Sequence, residues 1–167
     1  MLHVEHKWID KAAWGPGPWV DEPDWVQWLD DDTGMPCVMT RNMFGVWVGY
    51  VGLPESHRWF GQPRDEIKLS VHGGTTFAGE GDIDDEFTPV LMALCPYKRV
   101  WWVGIDFGHA PWDFLPALVA ATPPEMAHAR ILHQGVYRDK AFAMAEVASI
   151  HNQAATVWRH YNETGGI

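Results

Sequence analysis

The chain has 167 residues, 47% of them hydrophobic and 20% charged, which fits one soluble globular domain with room for a sizeable core. Twelve Lys and Arg against 22 Asp and Glu leave a net charge of −10, so the basic footprint of a protein that binds nucleic-acid polymers or anionic membranes is missing. No apolar run approaches the ~20 residues of a membrane span. The opening residues MLHVEHKWIDK carry no signal-peptide core, and Cys37 and Cys95 alone exclude a disulfide framework. The expected compartment is the cytoplasm.

Residues 1–35 are rich in turn formers and hold Trp14, Trp19, Trp25 and Trp28. They read as an irregular arm that packs its indoles on the domain, with a short strand over 26–29. Residues 36–110 read as a β-rich core. Strands are expected at 37–40 and 46–51. Another is expected at 67–72, where Ile67, Leu69 and Val71 alternate with Lys68, Ser70 and His72. A strand resumes at 75–77. The strongest strand is 99–107, with Trp101, Val103, Ile105 and Phe107 on one face and Val100, Trp102, Gly104 and Asp106 on the other. Gly104 leaves a gap for a neighbour or a ligand. The acidic stretch 80–86 reads as a solvated loop, and the prolines of 111–136 allow only loops and short turns.

Residues 139–163 form the one clear helix. Asp139 is its N-cap, and Ala143, Val147, Ile150, Ala154, Val157 and Tyr161 make one apolar stripe. The expected fold is one α+β domain over 1–167, a mostly antiparallel sheet with the C-terminal helix packed on one face.

Eleven tryptophans are unusual for this length. A buried indole N–H needs a partner, so part of the excess belongs to the core. The rest is available to stack a flat ligand or to form a homo-oligomer.

Two glycine-flanked segments can carry chemistry. In Val71-His72-Gly73-Gly74-Thr75-Thr76 a His precedes two residues free to adopt positive φ, where a ligand can reach main-chain N–H groups, and then two hydroxyls. The same pattern also serves a plain bulge or hairpin turn. In the second segment Asp106 closes an apolar strand and His109 follows past a glycine. Asp106 can orient the imidazole, join it on a metal, or simply cap the turn. If the two strands are neighbours, His72, Asp106 and His109 converge. Such a set can hold a divalent Zn, Mn or Fe ion, or act without metal as an acid–base pair. The spacing matches no established metal signature. G-x-S-x-G, P-loop and dinucleotide fingerprints are absent. His57 is expected to cover the end of the sheet rather than join the site.

The order Gly49-Tyr50-Val51-Gly52-Leu53-Pro54, Trp59-Phe60-Gly61, Val71-His72-Gly73-Gly74-Thr75, Trp101-Trp102-Val103-Gly104-Ile105-Asp106-Phe107-Gly108-His109-Ala110 and Tyr137-Arg138-Asp139 resembles a family of small proteins common in tailed-phage and prophage genomes. The chain departs from that pattern at Phe107, where a small residue or Cys is usual, and at Asp113, which lies further behind His109 than the family's Asp. The resemblance implies a phage accessory protein of the host cytoplasm that counters host defence.

Three readings follow. The leading one is a binding module for a small, nucleotide-derived ligand such as an immune signal. Tyr50, Trp102 and Trp112 would stack its flat part. His72, Gly73, Gly74, Thr75, Thr76, Asp106 and His109, with Arg99 or Arg138, would hold its polar groups. The second is a hydrolase, metal-dependent or not, in which His72, Asp106 and His109 activate water against a phosphoester, glycosidic or amide bond. The third is an inhibitor whose tryptophans face a host protein.

Overall fold

The structure, a computed structural model, describes residues 3–80, 88–126 and 129–165. Its strands are β1 (His3–His6), β2 (Trp25–Leu29), β3 (Pro36–Arg41), β4 (Trp47–Pro54), β5 (Phe77–Gly79) and β6 (Val100–Asp106). They form one sheet in the order β1-β2-β3-β4-β6-β5, with every neighbouring pair antiparallel. The helices are α1 (Thr88–Leu94), α2 (Pro116–Ala121), α3 (Ala129–Leu132) and α4 (Lys140–Glu163). The α+β architecture expected from the sequence is the observed one. Of the acidic stretch 80–86, all but Glu80 lies outside the described residues. Among the described residues no helix is long and apolar enough to cross a membrane.

Helix α4 starts where its cap dictates. The Asp139 carboxylate accepts the Phe142 N–H at 2.8 Å, satisfying one of the orphan donors of the first turn. Ala143, Val147, Ile150 and Ala154 are fully buried, while Val157 and Tyr161 are half-buried further along. The stripe lies on β3 and β4, over a core that includes Met39, Trp47, Val51, Val103, Ile105 and Phe107. Gly49 sets how closely the helix approaches, because a Cβ there would stand 2.3 Å from Val147 Cγ2. Gly49→Ala should therefore cost about 1–3 kcal/mol of stability. Adding Val147→Ala should recover part of it in thermal unfolding; an unaltered melting temperature in the single variant would contradict this seating.

Residues of opposite parity face the other way. Trp25, Val38, Val100 and Trp102 form a second cluster with Leu91 of α1. Most of the tryptophan excess is structural. Trp25, Trp47 and Trp102 are fully buried. Individual indole N–H groups find partners: Trp25 on Gln27 Oε1 at 3.2 Å, Trp47 on Glu22 Oε2 at 3.1 Å, Trp19 on the Gly15 carbonyl at 3.1 Å and Trp101 on the Gln62 carbonyl at 3.0 Å.

Three sequence expectations are corrected. Residues 1–35 are not an irregular arm throughout, since they supply β1 and β2, two of six strands. Strand β2 has buried residues on both faces, which removes the period-2 pattern, and β1 is short and polar but pairs with β2. The segment 67–72 is extended without being a strand. Ile67 is buried and Lys68 exposed as the alternation requires, but its main chain is held by helix side chains. Gln153 Oε1 accepts the Ser70 N–H at 2.9 Å, Gln153 Nε2 donates to the Ser70 carbonyl at 3.3 Å, and Glu146 Oε2 accepts the His72 N–H at 2.7 Å. Finally, the gap at Gly104 takes the Tyr50 ring, whose Cδ1 is 2.3 Å from where a Cβ would stand, so no ligand space is left there.

Candidate metal centre

Beyond β6 the chain passes Phe107, buried on the α4 side of the sheet, and then forms a hydrogen-bonded turn that includes the cis Ala110–Pro111 peptide. The Trp112 and Asp113 N–H groups both donate to the His109 carbonyl, at 3.0 and 3.1 Å. That turn sets the Asp113 side chain beside His109. Pairing with Val136 pins it: Phe114 N–H donates to the Val136 carbonyl at 3.0 Å, and Val136 N–H to the Trp112 carbonyl at 2.9 Å. The same pairing delivers Arg138 two residues later. His72 arrives from the extended 67–72 segment, which α4 holds in place.

The three segments meet on the Asp113 carboxylate, which is fully buried. Its Oδ2 accepts His72 Nε2 at 2.7 Å, His109 Nδ1 at 3.2 Å and the His109 N–H at 3.0 Å. Its Oδ1 accepts Arg138 Nε at 2.8 Å. Burial alone would raise the Asp113 pKa, but the hydrogen bonds from His72, Arg138 and the His109 N–H outweigh it and hold the carboxyl below its ordinary range. Asp113 is therefore an anion at neutral pH. The imidazole of His72 meets His109 edge to face at 5.2 Å and packs on Phe107 and Phe142 at 6.1 and 5.5 Å. Phe142 also carries the Arg138 guanidinium 4.8 Å above its ring.

One ligand atom from each of His72, His109 and Asp113 lies within 4.8 Å of the other two. Ligands of a tetrahedral zinc ion at 2.0–2.1 Å sit about 3.3 Å apart; His109 Nδ1 stands 3.2 Å from Oδ2, while His72 Nε2, at 2.7 Å, would have to move outward. Two imidazoles and a carboxylate are the donor set of catalytic zinc and of facial-triad iron sites. Three protein ligands leave a coordination position open. The His72 and His109 side chains are 20% and 30% exposed, so that position can reach water.

Gly73 keeps His109 where it is. Its φ is +70°, and a Cβ would fall 2.2 Å from His109 Cε1. Gly73→Ala should displace the ring and weaken zinc binding by at least about tenfold, as loss of a supporting residue does. Calorimetric titration with zinc checks this; unchanged affinity would contradict the packing.

The expected site divides in the structure. His72, Gly73 and His109 come together, as their glycine-flanked positions suggested. Asp106 does not join them. Its Oδ1 accepts the Gly108 N–H at 2.6 Å and its Oδ2 accepts Asn42 Nδ2 at 3.3 Å, so it caps the turn after β6. Strand parity puts it on the opposite face from Phe107, and Asp113 is the carboxylate of the cluster. Tyr50 and Trp102 lie on the far face of the sheet, so among the described residues no indole-walled cleft surrounds the imidazoles. Trp112 is 71% exposed beside Asp113. Thr75 Oγ1 donates to the Ile67 carbonyl at 2.6 Å, and Thr76 Oγ1 to that of Gly104 at 3.4 Å. Gly73, Gly74 and Thr75 border a hollow of about 230 Å³ with Arg64 and Lys68. Arg99 pairs with Glu55 and Glu80 instead. His57 covers the end of the sheet, donating to the Ala154 carbonyl at 3.0 Å, and burial lowers its pKa. A larger hollow of about 570 Å³ lies along the outer side of α4 by Trp59 and holds none of the cluster.

Asp113, Phe142 and Glu146 are the site residues that sequence reasoning missed. The available signal was the short His109–Asp113 spacing around Pro111, which lets a tight turn bring the two side chains together. The chain matches no protein-family model, no curated protein and no solved structure.

Proposed function

We propose that this protein is a hydrolase that works with one divalent metal ion, zinc by its donor set, held by His72 Nε2, His109 Nδ1 and Asp113 Oδ2. The observation that carries the reading is the convergence of two imidazoles and a buried, ionised carboxylate at a surface-reaching position. At such a site zinc would supply Lewis acidity, bringing the pKa of a bound water toward about 7. Around it, Glu146 anchors the main chain of His72, and Arg138 fixes the second carboxylate oxygen of Asp113. The test is turnover of chromogenic phosphoesters, glycosides, amides and carboxylic esters by zinc-loaded protein. Activity on one class is expected, lost on chelation, restored by zinc and absent in His109→Ala. Zinc-loaded protein inert toward all four classes would overturn the hydrolase reading.

Trp112 favours a second reading, capture of a flat nucleotide-derived ligand without cleavage, because so exposed an indole beside the cluster is free to stack a base. A ligand recovered intact that raises the melting temperature, with the rise lost in Trp112→Ala, would support it. In the phage family that the motifs resemble, either activity would act on a host immune signal.

A further inference from the structure

The hydrolase reading leaves the substrate class open, and Arg138 narrows it. We infer that the substrate is a phosphate ester, with one non-bridging oxygen on the metal and another on the terminal N–H groups of Arg138. The inference rests on the metal-centre reading above.

Arg138 is fixed from two sides. Its Nε donates to Asp113 Oδ1 at 2.8 Å, and its guanidinium lies 4.8 Å over the Phe142 ring. Its terminal nitrogens make no hydrogen bond or ion pair with a described residue. Four of its five N–H donors are thus unmatched, on a side chain only 24% exposed. The neighbouring oxygen of the same carboxylate takes the two imidazoles. One carboxylate therefore places the guanidinium and the metal position side by side. A planar guanidinium fork matches the oxygens of a phosphate, and a metal ion beside it adds the charge that such a group neutralises. Neither a glycoside nor an amide offers an anion for that pair of cations.

The adjoining hollow has the same bias. Arg64 and Lys68 line it against the single carboxylate of Asp65, in a protein of net charge −10. It shares Gly73 with the cluster, and its volume of about 230 Å³ suits a small alcohol portion. In the reaction, the oxygen of water bonds to phosphorus as the ester P–O bond breaks. The leaving oxygen keeps that electron pair and takes a proton from the same water, giving an alcohol and, from a monoester, inorganic phosphate.

The experiment uses the full chain loaded with cobalt(II), whose visible absorption reports its ligands, titrated with inorganic phosphate and separately with acetate. Phosphate should perturb the bands of the wild-type protein, and acetate should do so far more weakly. Compared at saturating cobalt, so that any loss of metal affinity is separated from the anion response, Arg138→Gln should weaken the phosphate response by at least about tenfold, and Arg138→Lys should fall between. A wild-type spectrum indifferent to phosphate, an equal response to acetate, or an unchanged phosphate response in Arg138→Gln would each overturn the inference and leave the metal centre standing. Failure of cobalt to bind would overturn the metal-centre reading and this inference together.

Discussion

Asp113→Asn should lower zinc affinity by about 100-fold or more, a larger effect than loss of a supporting residue gives. The substitution keeps the size of the side chain and removes its charge. Oδ2, which both imidazoles approach, loses its strength as a ligand. Its partner Oδ1 no longer balances Arg138, whose Nε stands 2.8 Å away. The new amide would also bring N–H donors among groups that are already donors, so stability should drop along with affinity. His72→Ala and His109→Ala should lose zinc to a similar degree but unfold closer to the wild type, because both imidazoles are partly in water while Asp113 is fully buried. Zinc calorimetry run beside thermal unfolding separates the two effects. Zinc affinity retained in Asp113→Asn would remove the carboxylate from the site.

The largest stability effect is expected outside the cluster itself, at Glu22. Its Oε2 accepts Arg41 Nη2 at 2.6 Å, Tyr137 Oη at 2.7 Å and Trp47 Nε1 at 3.1 Å, while Oε1 accepts the Lys140 N–H at 2.8 Å. One carboxylate thus joins the N-terminal segment to β3, β4 and the first turn of α4. The Arg41 side chain is fully buried. Glu22→Ala would leave Asp24, 3.2 Å from its Nε, as its one remaining carboxylate partner beside the Pro23 and Gly45 carbonyls and the Tyr137 hydroxyl, and strand three further donors. Breaking a buried pair on one side costs about 3–5 kcal/mol. For a chain of this size that is a fall of roughly 6–20 °C in melting temperature. A drop of only a degree or two would mean that the network contributes little.

The same residue sets an acid limit. Burial would raise the Glu22 pKa, but the hydrogen bonds from the Lys140 N–H, Tyr137 and Arg41 outweigh it and hold the pKa below the ordinary value. A depressed folded-state pKa contributes stability that is complete above the unfolded value, about 4.3, and is lost as pH falls through the folded one. The wild type should therefore lose stability as the pH drops below about 4.3, and Glu22→Gln should lose less over the same range. Parallel acid profiles would contradict this assignment.

The parts legible in the sequence are those whose local chemistry agrees with their tertiary role. Asp139 with the Ala143–Val147–Ile150–Ala154 stripe announces α4 because cap and packing face point to one helix. The alternation from Val100 to Phe107 announces β6 because each of its faces meets a different cluster. β1 was hidden because His3-Val4-Glu5-His6 owes its strand to pairing with β2, which no local pattern records. The 67–72 segment has a true burial alternation whose hydrogen bonds go to Gln153 and Glu146, 83 and 74 residues away in sequence. In the site, His72 and His109 stood out because glycines accompany them, and Gly73 is there to let the His109 ring in. Asp106 drew attention as a strand-end carboxylate, but the residue after it is the one that faces α4. Asp113 and Arg138 meet only because Val136 pairs with the 112–114 turn, a long-range event.

The most direct check of the central claim is a crystal grown with zinc and measured at the zinc absorption edge. One strong anomalous peak is expected at about 2.0–2.2 Å from His72 Nε2, His109 Nδ1 and Asp113 Oδ2. Zinc found only on other surface histidines, with both imidazoles still hydrogen-bonded to Asp113, would contradict it.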